Sequence, residues 1–291
     1  MSTLAIILVI LSAAMHAWRN FLTKQATDKQ AFVWWYEIVG LVLFTPLFIL
    51  FFPAASLDAV SFWLFIGISG LLHFVYWVFL TEALENGDLS LVYPIMRASP
   101  ALVLIVSLTV LNEDVSLQGL IGVLLVALGS YAINLQRISL SQLLRPVVSL
   151  GTDRGLQFAL LTLFSVTAYS IVDKLAVERI HPVVFAYLYP WLSMLLFSVH
   201  LLRRQKVGTL KAEWGAQRNR ILICGGLSIF GYFLILVAFT LDRVSYIVGL
   251  RQLSIVFAVF LGGYALKEKH RKIRTVCAGI IFLGTFLIAS G

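Results

Sequence analysis

Charged residues are scarce in this chain of 291 residues. Asp, Glu, Lys and Arg make up 12% of it, whereas hydrophobic residues make up 60%, and the mean hydropathy is +0.95. A soluble domain usually carries about 25% charged residues. So few charges cannot cover a water-facing surface of this size. The excess apolar surface needs lipid around it, which indicates an integral membrane protein.

Cysteine and the common catalytic motifs are also scarce or missing. The only cysteines, Cys224 and Cys277, lie in apolar runs and form no CxxC or Cys/His pattern. We interpret both as small packing residues and expect no metal site. The sequence contains no GxxxxGK[ST], GxSxG or HExxH motif. We therefore expect no cofactor, no enzymatic activity and no ATP-driven pumping by the chain itself.

Acidic residues are fewer than basic ones, with 14 Asp and Glu against 22 Lys and Arg, so the formal net charge is +8. The basic residues sit in short gaps between apolar runs, which favours a role in membrane orientation over nucleic-acid binding. When the loops between successive apolar runs are numbered along the chain, the odd-numbered loops hold seventeen Lys and Arg, including Arg19, and the even-numbered loops hold three. Because Lys and Arg stay on the cytoplasmic side during insertion, we expect the odd loops in the cytoplasm and both termini outside.

Long apolar runs dominate what is present. A helix needs about 20 apolar residues to cross a bilayer. Ten runs approach this length: Thr3–Phe21, Ala31–Phe52, Val60–Leu84, Leu89–Leu111, Leu117–Leu135, Gly155–Val177, Pro182–Leu202, Arg220–Leu241, Val244–Leu266 and Ile273–Ser290. The polar break at 136–154 leaves five runs on either side. The sequence therefore predicts an all-α membrane protein of ten transmembrane helices, with halves at 1–135 and 155–291 and a linker at 136–154.

The two halves resemble each other in sequence. A shift of 155 residues superimposes several identical residues: Ser90 on Ser245, Ser99 on Ser254, Leu111 on Leu266, Glu113 on Glu268, and Gly129 on Gly284. This pattern is typical of an internal repeat. An odd number of helices per half makes the second half enter the membrane in the opposite direction. We therefore predict inverted repeats, the arrangement that many secondary transporters use for alternating access.

Several short motifs point to a known family. They are Pro94, Ser99-Pro100, Leu111-Asn112-Glu113, Gly122 and Gly129, together with an opening His16-Ala17-Trp18-Arg19-Asn20 and Lys24. In these features the chain resembles the drug/metabolite transporter superfamily, EamA type, and the opening is similar to a branch in which some members are associated with phosphonate utilisation. The resemblance implies two EamA-like repeats in a multi-pass protein of the inner (plasma) membrane.

Two arginines lie within apolar runs, Arg97 in the fourth and Arg251 in the ninth. An ionisable group left unpaired in lipid costs several kcal/mol, so such residues are functional candidates. We expect both to face a central cavity and to hold an anionic group in a bidentate fork. The alternative is that each is a structural tie to an acidic or carbonyl partner. The full set of predicted substrate-binding residues is Arg97, Arg251, Gln252, Tyr93, Ser99, Trp18 and Tyr187.

Further residues are candidates for a functional role, and each also has a structural interpretation. Pro94 and Pro100 interrupt the fourth run and either free backbone groups for a solute or form a packing kink. Candidates for proton exchange, which would make a proton the coupling ion, are His16, His73, Glu82, Glu85 and Asp173. The alternative roles are packing for the histidines, and interfacial charge or helix-end capping for the acids. Glu113 and Glu268 are interpreted as structural.

These features predict a secondary transporter that moves a small organic anion or zwitterion, such as an amino acid- or phosphonate-like metabolite, by alternating access. A flippase for a lipid-linked carrier would share the same features, and an intramembrane enzyme or a channel is a further alternative. The expected partners are the solute and membrane lipid, without nucleic acid, and the expected state is a monomer or homodimer.

Overall fold

Every regular element of the described structure is a helix. The computed structural model describes residues 1–52, 60–133, 144–146, 148–203, 207–265 and 271–291. In order, the helices are α1 (Thr3–Lys24), α2 (Lys29–Phe51), α3 (Val60–Asn86), α4 (Leu89–Met96), α5 (Ser99–Thr109), α6 (Leu117–Ala132), α7 (Arg154–Val177), α8 (Pro182–Arg203), α9 (Val207–Leu241), α10 (Val244–Leu250), α11 (Leu253–Ala265) and α12 (Arg271–Ser290), with a 3₁₀ turn at Ser149–Gly151.

The helices confirm an all-α membrane protein. Among the described residues, eight helical segments are long and apolar enough to cross a bilayer, and Leu117–Ala132 and Val244–Phe260 are shorter apolar ones. The count of ten spans stays a prediction because these two segments fall below the usual length. Side chains that accept a hydrogen bond from the N–H three residues onward begin four of the helices and so fix where the spans start. These caps are Ser2, Asp28, Ser116 and Asp153.

The fourth and ninth apolar runs are each broken into two helices. The breaks fall at Arg97–Ala98, between α4 and α5, and at Arg251–Gln252, between α10 and α11. Pro100 lies at the start of α5, where its missing N–H removes no hydrogen bond of the helix. The second half breaks in the same way although α11 contains no proline, so proline alone does not cause the turn.

The two breaks superimpose with a shift of 154 residues. The Arg97 N–H donates to the Tyr93 carbonyl at 3.0 Å, and the Arg251 N–H donates to the Ile247 carbonyl at 2.9 Å. The next N–H in each half bonds a carbonyl only three residues back. Arg97 is therefore the structural equivalent of Arg251. The uniform 155-residue shift, which aligns Arg97 with Gln252, is wrong here because α10 is one residue shorter than α4.

Helices α6 and α12 pack closely through small residues and reveal the symmetry. A Cβ added to Gly122 would lie 2.7 Å from the Gly284 carbonyl oxygen, and one added to Gly129 would lie 3.1 Å from that of Cys277. The two helices are therefore antiparallel. The 155-residue shift exchanges these two contacts, which is what a two-fold rotation does. An axis that swaps antiparallel spans is perpendicular to them and lies in the membrane plane, as inverted repeats require.

Other helix pairs obey the same two-fold symmetry. Helix α3 packs along α7, and the equivalent pair α1 and α9 packs likewise. Near the end of α5, the Glu113 carboxylate accepts hydrogen bonds from the Val244 N–H at 2.7 Å and from the Ser245 hydroxyl at 2.6 Å. Glu113 thus caps a helix of the opposite half, a structural role. Glu268 lies outside the described residues.

Helix α9 begins at Val207, earlier than the apolar run that starts at Arg220. Its polar first turns bind the start of α2. The Glu213 carboxylate accepts hydrogen bonds from the Thr27 and Asp28 N–H groups at 3.2 and 3.0 Å, and the Trp35 indole donates to the Leu210 carbonyl at 2.8 Å. A search for apolar runs misses this extension because its stability comes from these tertiary bonds.

We expect Gly122→Ala to destabilise the protein, because the new methyl group would press against the Gly284 backbone. Overpacking of this kind costs about 1–3 kcal/mol. The measurement is the thermal unfolding midpoint in detergent. Gly279→Ala is the matched control on α12, since a Cβ there meets nothing within 4 Å. Equal midpoints for the two variants would contradict the close α6–α12 contact.

Candidate functional site

A small polar cavity lies between the two halves. It is lined by Ser12, His16 and Arg19 of α1, by Ser228 and Tyr232 of α9, and by Arg251 at the α10–α11 break. Its volume is about 10 Å³, which is space for about one water molecule. Side chains at membrane depth that gather around such a space are the usual components of a solute site.

Arg19 is the centre of the first polar network. One guanidinium nitrogen donates to the Ser228 hydroxyl at 2.9 Å, and another lies 2.9 Å from His16 Nδ1. Because guanidinium can only donate, His16 Nδ1 must accept. The Ser228 hydroxyl in turn donates to Glu37 Oε1 at 2.8 Å. Ser228 thus joins a cation from α1 to an anion from α2, so that each charge is partly compensated inside the membrane.

Arg19 and Glu37 were not among the predicted site residues. The charge pattern assigns Arg19 to the first loop, but α1 continues to Lys24 and carries Arg19 within the helix. Glu37 lies inside α2. The sequence signal that could have identified them is that both charged residues lie within long helical stretches. Because Arg19 is near the end of an apolar run, a scan for such runs assigns it to the following loop. The structure places Arg19 within α1, so it no longer counts among the loop residues that indicate orientation.

Asp173 is the centre of the second network and is 0% exposed. Its Oδ1 accepts a hydrogen bond from the Ser69 hydroxyl and its Oδ2 accepts one from the Tyr232 hydroxyl, both at 2.6 Å. His73 Nε2 lies 3.6 Å from Oδ2. The helix-end interpretation does not fit Asp173, because its carboxylate is fully buried and accepts hydrogen bonds from side chains of α3 and α9. It fits the next residue, Lys174, whose ammonium donates to two carbonyls at the end of α9.

The His73 ring lies among aromatic side chains. Its centroid is 4.2 Å from that of Tyr169 and 4.5 Å from that of Tyr189, and Tyr232 meets it edge-on at 5.7 Å. Tyr232 therefore contacts His73 and Asp173 while also lining the cavity. Its ring additionally faces Arg251, whose guanidinium carbon is 5.2 Å from the ring centroid. One tyrosine thus joins the second network to the cavity that Arg19 of the first network also lines.

The predicted arginines occupy equivalent positions at the two helix breaks. Arg251 lines the cavity. Arg97 is partly buried and does not line the cavity, but it lies close enough to interact electrostatically with His16 and with Tyr76 of α3. Gln252, next to Arg251, is 7% exposed, and its side-chain oxygen has no partner among the described residues.

The other predicted site residues lie farther from the cavity. Ser99 is buried at the start of α5, and Tyr93 packs in an apolar cluster of α4 and α7. Tyr187 stacks on Phe48 with centroids 4.1 Å apart, and its hydroxyl is 3.1 Å from that of Thr45, between α2 and α8. Trp18 is 49% exposed on the outside of α1. Of the seven predicted residues, Arg251 is the one that lines the cavity.

Comparisons with known proteins agree with this architecture. The model of the EamA-like transporter family matches residues 3–135 and 153–290. The chain belongs to the EamA-like transporter family. This EamA-like chain is therefore a multi-pass membrane protein of a family of small-molecule transporters, in the drug/metabolite transporter superfamily, as the sequence motifs indicated.

Solved structures share the fold of this EamA-like chain. A structure titled "Crystal structure of protein" superimposes with a TM-score of 0.70 at 14% identity, over 99% of this chain and 96% of its own. That likeness shows the fold alone. No curated protein matches the chain. In the parts of the chain that the structure describes, no group of three or more His, Cys, Asp or Glu side chains could hold a metal ion.

We expect Ser228→Ala to destabilise the protein, because it removes the hydroxyl that joins Arg19 to Glu37. Hydrogen bonds to charged groups contribute about 1.5–3 kcal/mol. The matched control is Ser170→Ala, whose hydroxyl bonds only its own helix, at the Val166 carbonyl, where the net effect on helix stability is small. The measurement is unfolding in detergent followed by tryptophan fluorescence, and a smaller loss in Ser228→Ala than in Ser170→Ala would contradict the network.

Proposed function

We propose that this chain is a secondary transporter that carries a small organic anion or zwitterion across the cell's inner membrane by alternating access. The observation that carries the proposal is the placement of Arg97 and Arg251 at equivalent breaks of two inverted halves. Amino acids and phosphonates are the substrate classes that fit the predicted chemistry best. The seven predicted binding residues stay candidates, to which Arg19 and Glu37 are added.

The balance of charge around the cavity favours an anion. Arg19 and Arg251 line the cavity, and Arg97 acts electrostatically on His16, which also lines it. Of the three arginines, Arg19 is the one linked to a carboxylate, through Ser228. Within the described side chains, neither Arg97 nor Arg251 forms an ion pair. A carboxylate or phosphonate would supply the missing partner through charge-assisted hydrogen bonds. The ammonium of a zwitterion would face Glu37.

The backbone geometry supports alternating access. Broken helices at membrane depth are tolerated where they line a cavity, and their freed backbone groups commonly contact the solute. The cavity of about one water molecule is too small for an organic solute. The halves must therefore move apart on one side to admit it, and inverted symmetry provides the equivalent movement on the other side.

We expect Arg97→Ala and Arg251→Ala each to weaken substrate binding by on the order of tenfold or more, since a charge-assisted hydrogen bond contributes about 1.5–3 kcal/mol. Binding is measured as the rise in unfolding temperature of the purified protein with glutamate and with methylphosphonate. Lysine at either position keeps the charge but loses the fork, so we expect weaker binding by a folded protein.

Arg179→Ala is the control for these substitutions. Arg179 is exposed, donates to the Leu175 carbonyl of its own helix and lies outside the cavity. Each variant must elute as a single symmetric peak on size exclusion. Parental binding by both Arg97→Ala and Arg251→Ala would assign the arginines to structural ties and would contradict the proposed anion site.

We also propose that the odd loops face the cytoplasm and that both termini lie outside, since the Lys and Arg excess of the odd loops is large even without Arg19. A C-terminal fusion to alkaline phosphatase, which is active only outside, should then be active, and a fusion to green fluorescent protein should be dark. A fluorescent, phosphatase-negative C-terminus would reverse the orientation.

A further inference from the structure

The hydrogen bonds of His73 determine where its protons are. His73 Nδ1 lies 2.9 Å from the Ser69 carbonyl oxygen, which can only accept. Nδ1 therefore carries a hydrogen. In the neutral imidazole the other nitrogen, Nε2, then carries a lone pair. That nitrogen lies 3.6 Å from Asp173 Oδ2.

Two lone-pair atoms facing each other inside the protein repel unless a proton is present between them. The proton resides either on Oδ2, as a carboxylic acid, or on Nε2, as an imidazolium beside a carboxylate. Asp173 is fully buried, and the groups that bond it directly, Ser69 and Tyr232, are neutral hydroxyls. An ionised carboxylate with neutral partners alone is costly at such a place. The pair is therefore built to hold one proton.

We propose that the His73–Asp173 pair is the proton-binding site of the transport cycle and that it exchanges its proton through Tyr232 with the substrate cavity, so that proton and anion move together. The proposal rests on the anion site proposed above. In the binding step an O–H or N–H bond forms on the pair while a hydronium ion in the opened cavity becomes water. In the release step on the other side, the same bond breaks and water takes the proton.

The charged and titratable groups around the pair are few. On α7 and α8 the rings of Tyr169 and Tyr189 cover His73, and on α9 Tyr232 bonds Asp173. On α3, Tyr76 contacts Tyr169. From the α10–α11 break, Arg251 acts on both members of the pair electrostatically. Lys174 points instead to carbonyls at the end of α9. Arg251 is therefore the cation through which the cavity influences the pair.

The direction of coupling follows from the sign of that charge. The positive charge of Arg251 favours the ionised form of Asp173. An anion bound to Arg251 offsets this charge, so the pair then holds its proton more firmly. By linkage, a protonated pair increases the affinity for the anion by the same factor. Anion and proton therefore bind together and leave together, which is cotransport in the same direction.

The first test needs no solute. Purified protein in lipid nanodiscs is taken from mildly acidic to alkaline pH in unbuffered solution, and released protons are counted with an indicator dye. We expect the parent to release one more proton per chain than Asp173→Asn. The control is Glu178→Gln, which removes a carboxyl that is 43% exposed at the C-terminal end of α7 and should keep the proton of the pair. Infrared spectra of the parent report the protonation of the Asp173 carboxyl directly, so this measurement needs no variant. No proton difference, with parental infrared signals unchanged by pH, would overturn the proton site.

In the second test, glutamate or methylphosphonate is added to the protein at constant pH, and proton uptake is measured. A protein-free blank corrects for the protons that methylphosphonate itself binds or releases. We expect the parent and Glu178→Gln to take up protons on binding and Asp173→Asn to bind without uptake. Binding without uptake in the parent would overturn the coupling while leaving the proposed anion site intact. If neither anion raised the unfolding temperature, the anion site would fail instead, and the pH jump alone would still decide whether the pair holds a proton.

Discussion

The low dielectric constant of the bilayer is the constraint on which the centre of this protein depends. Every charge there must be stabilised by protein groups, since lipid offers no hydrogen bonds. Hydroxyl groups supply much of this stabilisation. Ser228 connects Arg19 to Glu37, and Ser69 and Tyr232 bond the two oxygens of Asp173. Because these hydroxyls belong to α3 and α9, the polar networks also hold the two halves together.

Inverted symmetry gives both halves the same backbone but not the same chemistry. Glycines at equivalent positions, Gly70 and Gly225, let α3 and α9 approach neighbouring backbones. Three residues farther along these helices, the same 155-residue shift relates His73 to Ser228. His73 belongs to the proposed proton site, and Ser228 belongs to the network of Arg19 and Glu37. The scaffold thus supplies two matched positions, and their different side chains would allow a proton and a solute to be bound side by side.

Hydropathy and the internal repeat predict the helical membrane fold and the inverted halves, and they place Arg97 and Arg251 at similar positions within them. The breaks in the fourth and ninth runs could be predicted only in part. Pro100 marks the first break, but no proline lies near Arg251, and the polar pair Arg251-Gln252 is too short to divide the apolar run. Arg19 and Glu37 were missed because their roles depend on Ser228, about 190 residues or more away in sequence, a contact that packing alone creates.

The central claim is that the two broken helices bring arginines to one anion site. It is tested most directly by crystals grown with methylarsonate, a phosphonate analogue whose arsenic gives an anomalous signal. We expect an arsenic peak in the cavity between α1 and α9, within hydrogen-bonding reach of Arg251 and next to Arg19 and Arg97. A peak only at the protein surface, from a protein whose unfolding temperature methylarsonate raises, would contradict the account.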